Sequence, residues 1–314
     1  MLLLVALYFS FPFDAHCWAA PGHLVTAALA ARHLSADVQA SVSADLAAYA
    51  AFPDVPSDFT RSGTWADSLK GSTHAFDSWH YIDTPIAVVA AEFAPSASCP
   101  STVHVVWALE AAAASLRSNH SDAWSRGFML RVLIHLMGDV HQPMHTACLL
   151  SPAFPAYGDK GGNSVKLEPP VHIGHVVATE LHAFWDAGCG DSGLESIRGE
   201  GSNCNAADVA ALAAAFDSPD VARIANTPID GTSAMSAAFH DWADESHAIA
   251  RNTSYSAAVL ADLGIGSVLH TGHAYWAGYT ATSSRSARQR LTLGGARLAQ
   301  VVNTLYRAHA TAYD

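Results

Sequence analysis

The chain has 314 residues, half of them hydrophobic, with 28 acidic against 16 basic side chains and a formal charge of −12. That length can bury a large core, and the acidic balance excludes a broad basic groove for duplex nucleic acid. A polyanionic substrate is not excluded, because bound metal ions set the charge locally.

Taken in order, residues 1–17 read as a secretory signal peptide. The apolar run Leu2–Phe13 is followed by Ala15-His16-Cys17, with small residues at the two positions a signal peptidase inspects. No later stretch reaches the roughly 18 uninterrupted apolar residues of a membrane span. A secreted or lumenal chain starting at Trp18 is expected. No linker, low-complexity tract or repeat divides the rest of the chain, so one domain over 18–314 is expected. Alanine-rich segments with helical spacing dominate: Val25–Leu34, Val38–Tyr49, Val103–Leu116, Phe128–Val140, Val176–Trp185, Met235–Ala250 and Leu291–Tyr306. Strand-like alternation is confined to Ser164–Glu168, ahead of Pro169-Pro170. The pattern predicts an all-α fold with at most a small β-hairpin.

Five cysteines occur, and losing Cys17 with the leader leaves Cys99, Cys148, Cys189 and Cys204, an even number suited to an oxidising compartment. Cys189 and Cys204 flank a Gly/Ser-rich loop that a bridge would close, but all three pairings stay open. Asn119-His-Ser121 and Asn252-Thr-Ser254 are glycosylation acceptors.

The chemistry concentrates in His135-Leu-Met-Gly-Asp139-Val-His141-Gln-Pro-Met-His145. His135 and Asp139 are four apart, so a helix presents them on one face, one turn apart. Pro143 biases Gln142 out of the helical region, which turns the chain and sends His145 elsewhere. Asp139 then stands between two potential metal ions. Further donors lie in Trp18–His23, in Trp65-Ala-Asp67 with Lys70 after it, in His80-Tyr81-Ile-Asp83 and in His182-Ala-Phe-Trp-Asp186. An isolated His-x-x-x-Asp is usually a surface pair, but together these groups exceed what one ion can hold. Imidazole and carboxylate without thiolate suit zinc in a hydrolytic site. His141 points off the metal face and is expected to hydrogen-bond a ligand. Gly161-Gly162 is expected to let backbone approach closely. His74, His104, His172, His175, His247, His270 and His273 fit no motif and read as surface or structural residues.

In this order the motifs resemble the class I nucleases, the three-zinc, single-strand-specific nucleases of fungi and plants and the 3′-nucleotidase/nucleases of flagellate protozoa. The match runs from Trp18 to Asp186, with an echo in Gly294-Gly-Ala-Arg-Leu-Ala. The resemblance implies a mainly helical fold of the phospholipase C and zinc nuclease type, holding three Zn²⁺ in a cleft. It assigns Asp67, His80, His135 and Asp139 to one ion. The second ion falls to Asp139, His23 and the amine and carbonyl oxygen of Trp18, and the third to His145, His182 and Asp186. Lys70 and Asp83 match polar residues at the scissile phosphate and base pocket. Asn163 matches a base-binding residue, and Tyr81 stands where a ring stacks on the base. The substrates implied are single-stranded nucleic acid and 3′-nucleotides, with no membrane span and no obligate protein partner. Zinc phospholipase C, acting on phospholipid headgroups, is the rival reading. Two departures are that residues 235–252 contain no cysteine and that Ala310–Asp314 is no hydrophobic anchor.

Overall fold

The computed structural model describes residues 18–49, 55–70, 73–87, 102–154, 157–199 and 201–310, so the expected leader, Cys17 and Cys99 lie outside the described residues. In chain order the helices are α1 (Ala20–Ala31), α2 (Ala36–Tyr49), α3 (Phe59–Ser62), α4 (Trp65–Ser68), α5 (Val105–Arg117), α6 (Ala123–Asp139), α7 (Leu181–Asp186), α8 (Ser192–Glu195), α9 (Ala206–Phe216), α10 (Pro219–Asn226), α11 (Gly231–Ile249), α12 (Ala257–Leu263) and α13 (Trp276–Ala310). The strands are β1 (Pro85–Ala87), β2 (Cys148–Leu150), β3 (Lys166–Ile173), β4 (Val176–Glu180) and β5 (Val268–His270). Among the described residues the fold is mainly helical with two small sheets. β1 pairs with β2 in parallel, and β3 lies between antiparallel β4 and parallel β5.

α6 is the axis of the structure. Asp122 caps its start by accepting the Ser125 N–H at 2.8 Å. From Leu130 to Asp139 every residue is buried, so this half of the helix has no solvent face to spare. Pro143 opens a short 3₁₀ turn just beyond its end. α2 and α5 cover α6 on the apolar side. Two apolar clusters share α1 and α13: Leu24, Val25, Leu29 and Leu291 belong to one, and Ala27, Ala30, Leu298 and Val302 to the other. Glycine sets the closest crossings. A Cβ on Gly295 of α13 would sit 2.9 Å from Leu29 of α1. A Cβ on Gly127 of α6 would run into the Asp45 backbone oxygen of α2. Near that crossing, buried Arg131 donates to the carbonyls of Gly127, Leu46 and Pro56 at 2.6–2.8 Å.

Two expectations need correction. Val176–Trp185 is not one helix: residues 176–180 form β4, and only 181–186 are helical. Val176, Val177 and Thr179 are β-branched, and Gly174 (φ +54°) turns the chain so that they pair back onto β3. Local β preference wins there because a partner strand is available. The strand foreseen at Ser164–Glu168 begins later and runs through both prolines, with its pairing irregular between Lys166 and Val171. Of the cysteine pairings left open by the sequence, Cys189–Cys204 is not formed, and Cys189 is a buried free thiol.

Gly127→Ala should be net destabilising. Alanine gains about 1 kcal/mol of helix propensity, but overpacking against a backbone atom costs roughly 1–3 kcal/mol because a helix must shift. Urea denaturation is the check, and a raised midpoint would contradict the packing described.

Candidate metal centre

The end of α6 carries the centre. His135 Nε2 and Asp139 Oδ2 stand 3.1 Å apart across one helical turn. His80, at the end of a 3₁₀ turn (Asp77–His80), brings Nδ1 to 2.9 Å from Asp139 Oδ2 and 3.1 Å from His135 Nε2. Asp67 of α4 closes this side, with Oδ1 3.5 Å from His135 Nε2 and 3.8 Å from His80 Nδ1. His23 of α1 stacks on His135 with ring centroids 3.9 Å apart, and its Nε2 lies 3.4 Å from Asp139 Oδ1. His145 Nδ1 approaches the same Oδ1 at 3.5 Å, while its Nε2 lies 3.7 Å from Asp186 Oδ1. His182 and Asp186, one turn apart on α7, face each other at 3.3 Å. The donors thus form one group around Asp139 and a second at His145, His182 and Asp186.

Backbone carbonyls fix the rings. His135 Nδ1 bonds Gly63 O, His145 Nδ1 bonds His80 O, and His182 Nδ1 bonds Gly161 O, each at 2.7 Å. A carbonyl can only accept, so each Nδ1 carries a proton and each Nε2 is the ring atom turned inward, the one left to meet a cation. The β1–β2 pairing sets the spacing of the two groups. The Ile82 N–H donates to His145 O at 2.7 Å and the Cys148 N–H to Thr84 O at 2.9 Å, so segments 80–87 and 145–150 run side by side.

Gln142 bridges helix end and second group: its Nε2 donates to Asp186 Oδ1 at 2.6 Å, and its Oε1 accepts the Met144 N–H at 2.5 Å. Gly161 (φ +60°) and Gly162 (φ +87°) let the 158–164 loop press against Met144; a Cβ on Gly162 would meet Met144 Cε at 2.6 Å. On Gly138 a Cβ would stand 2.7 Å from His23 Nδ1, so that glycine makes room for the ring. Trp18 is buried, with its indole N–H donating to Gly138 O at 3.0 Å, and the next N–H, of Ala19, donates to Asp186 O at 2.9 Å. The start of the described chain is therefore clamped between α6 and α7.

Burial depresses the His23 and His145 imidazoles and takes His80 to about 4, leaving them neutral near pH 7. It works against Asp139 too, but His135 and His145 outweigh it and hold that carboxyl well below its usual range. The same contest at Asp67 ends the same way, with His135 and Lys70, whose Nζ lies 3.0 Å from Oδ1, keeping it ionised. Asp186 differs: burial pushes it up to about 7 in spite of His182 and Gln142. Five buried atoms of the centre, His23 Nδ1 and Nε2, Asp139 Oδ1, His145 Nε2 and Asp186 Oδ2, have no hydrogen-bond partner. Leaving such atoms unsatisfied costs roughly 1–3 kcal/mol each. Inward ring nitrogens, ionised carboxylates and orphaned buried acceptors are what divalent cations satisfy, and the thiolate-free donor set fits zinc.

The remaining candidates lie on segments that carry donors. Tyr81 follows His80 and is 37 % exposed. Asp83 is pushed up to about 6, by burial and then by Asp159. Asn163 follows Gly161 by two and donates from Nδ2 to Lys160 O at 2.8 Å. Asp159, not anticipated from sequence, holds that loop by accepting the Leu149 N–H and the Tyr255 hydroxyl. His141 corrects an expectation: its Nδ1 bonds Met137 O at 2.7 Å and its Nε2 meets Arg297 at 3.1 Å, so it braces α6 against α13 instead of a ligand.

The S1/P1 Nuclease family model matches residues 18–307. Among curated proteins of Arabidopsis thaliana, Endonuclease 2 is 24 % identical over 194 residues, 60 % of each chain. Endonuclease 3 is 27 % identical over 57 % of each. Endonuclease 5 is 28 % identical over 57 % of this chain and 58 % of its own. The matched stretch therefore spans about three-fifths of each relative.

Gln142→Leu keeps the volume of the side chain but frees Asp186 Oδ1. Metal affinity should fall about 10- to 100-fold, as losses of such supporting bonds do. Competition titration against a chelator measures this, and unchanged affinity would show that Gln142 does not orient Asp186.

Proposed function

The chain belongs to the S1/P1 nuclease family, and from that premise we propose that it is a zinc-dependent phosphoesterase. Its proposed reactions are hydrolysis of single-stranded DNA and RNA to 5′-phosphate products and removal of the 3′-phosphate from 3′-mononucleotides. The observation that carries the proposal is the convergence of His23, Asp67, His80, His135, Asp139, His145, His182 and Asp186 with their donor atoms inward. Three Zn²⁺ would be shared among them and the Trp18 amine and carbonyl oxygen, with Asp139 common to two.

Zinc held there would supply positive charge to the phosphoryl oxygens and a water whose pKa a single zinc can lower to roughly 7. Asp67, ionised and beside Lys70, would orient an attacking water through a carboxylate oxygen and take up its proton. Lys70 sets a cation beside the charge that develops on the phosphate. Asp83 and Asn163 hydrogen-bond the base edge, and the half-exposed ring of Tyr81 stacks on its face. A base must leave its helix to do this, which costs little in a single strand and several kcal/mol in a duplex. A ligating amine at Trp18 requires cleavage after Cys17, which fits secreted or lumenal residence; Asn119 and Asn252 are exposed for glycosylation there.

Denatured DNA, duplex DNA, 3′-AMP and phosphatidylcholine tested side by side decide the reading. Hydrolysis of the first and third, lost with chelator and restored by zinc, is expected; activity confined to phosphatidylcholine would overturn it. Asp139→Asn should lower turnover by orders of magnitude together with bound metal, and near-native turnover would rule out a shared ligand. Amino-terminal sequencing of active enzyme should begin at Trp18; an active chain retaining Cys17 would remove the amine from the set. Asp83 carries a proton below about pH 6 and a charge above it. As an acceptor for base N–H groups it should lose substrate affinity as pH falls through 6, seen as a rise in KM that Asp83→Asn flattens. The same rise in the variant would assign the titration elsewhere.

A further inference from the structure

A second cluster of metal-ligating side chains shares no residue with the centre around Asp139. Asp262 near the end of α12, His270 at the end of β5 and His273 in the following turn bring their donor atoms within 4.8 Å of one another. The Asp262 side chain is only 6 % exposed, and its Oδ1 lies 3.1 Å from His270 Nδ1 and 2.8 Å from His273 Nδ1. Its other oxygen is anchored, accepting the His270 backbone N–H at 2.7 Å and the Tyr275 hydroxyl at 2.9 Å. The carboxylate is thus held on one side and turned towards two imidazoles on the other. Those rings stack, with centroids 4.8 Å apart and planes 24° apart, and both Nδ1 atoms converge on Asp262 Oδ1.

We propose that Asp262, His270 and His273 form an additional zinc-binding site at the β5 edge of the three-stranded sheet. The chemistry is that of an imidazole–carboxylate site with one position open to water, and Zn²⁺ is the cation it suits. Zinc–ligand bonds of about 2.0–2.2 Å give tetrahedral edges of roughly 3.3–3.5 Å. The gaps of 2.8 and 3.1 Å need to open by only a few tenths of an ångström. Without metal, Asp262 Oδ1 can accept Nδ1–H from both rings. Binding moves each ring proton to Nε2, and the rings are 47 % and 55 % exposed, so either tautomer is solvated. The Tyr275 hydroxyl and the His270 N–H on Oδ2 play the part that outer hydrogen bonds play at metal sites, fixing the ligand before the ion arrives. A bound ion ties α12 and β5 to the segment that leads into α13.

The test counts zinc. Full-length protein stripped with chelator is dialysed against buffered Zn²⁺ over a range of free concentrations, and metal per chain is measured by atomic emission. The comparison is with H270Q/H273Q and with Asp262→Asn, which keeps the acceptor shape for Tyr275 while removing the charge. Both variants should bind one equivalent less than the parent, with unchanged circular dichroism and unchanged zinc-dependent hydrolysis. Isotherms that overlay the parent's in both variants would overturn the site. Loss of the equivalent in the histidine variant but not in Asp262→Asn would overturn the carboxylate as a ligand.

Discussion

A carboxylate with no exposure to water constrains everything around it. Asp139 ends the run of α6 from Leu130 in which every residue is buried, and an isolated ionised carboxylate there would be driven to take a proton. Four imidazoles crowd its two oxygens instead: His80 and His135 on one, His23 and His145 on the other. His135, whose own pKa the neighbouring carboxylates raise in spite of its burial, does most to keep that group charged, and the rings arrive from α1, a 3₁₀ turn, α6 and the turn beyond α6. Much of the fold serves that delivery.

Delivery alone would leave the rings free to choose their tautomers. Three backbone carbonyls, Gly63, His80 and Gly161, make the choice by accepting from Nδ1. Each belongs to a different segment, so the chemistry of the centre depends on α3, on the β1–β2 pairing and on the glycine loop being in register. Asp159 and Tyr255 hold that loop from behind. The opposite side of α6 is braced by ions. Glu245 of α11 binds Arg290 and Arg297 of α13, while Arg290 also donates to His141 O and Arg297 meets the His141 ring. Burial and the two guanidiniums hold that imidazole neutral, so it works as an acceptor.

The two electrostatic environments differ in a way that bears on metal binding. Around Asp139 the imidazoles outweigh burial, whereas at Asp186 burial wins and its carboxyl rises to about 7. Asp186 has one firm donor, Gln142, and two rings at 3.3 and 3.7 Å. Its ionisation therefore depends more on an added cation than that of Asp139.

The sequence by itself determined the helical class, the i, i+4 pairs His135/Asp139 and His182/Asp186, and the turn at Pro143, because these follow from local periodicity and from the steric rule at proline. The donor residue types were legible for the same reason: His and Asp at helical spacing state their own chemistry. What partners they meet was not legible. Gln142 could not be read as the holder of Asp186, nor could His141 be read as a partner of Arg297, since 44 and 156 residues separate those pairs. Val176–Glu180 looked helical until β3 offered it a ladder. His270 and His273 are surface residues, as expected, but that α12 sets Asp262 against both was not legible. Spacing along the chain sets which side chains share a face; only packing decides which faces meet, because that choice is made by burial and by hydrogen bonds between segments far apart in sequence.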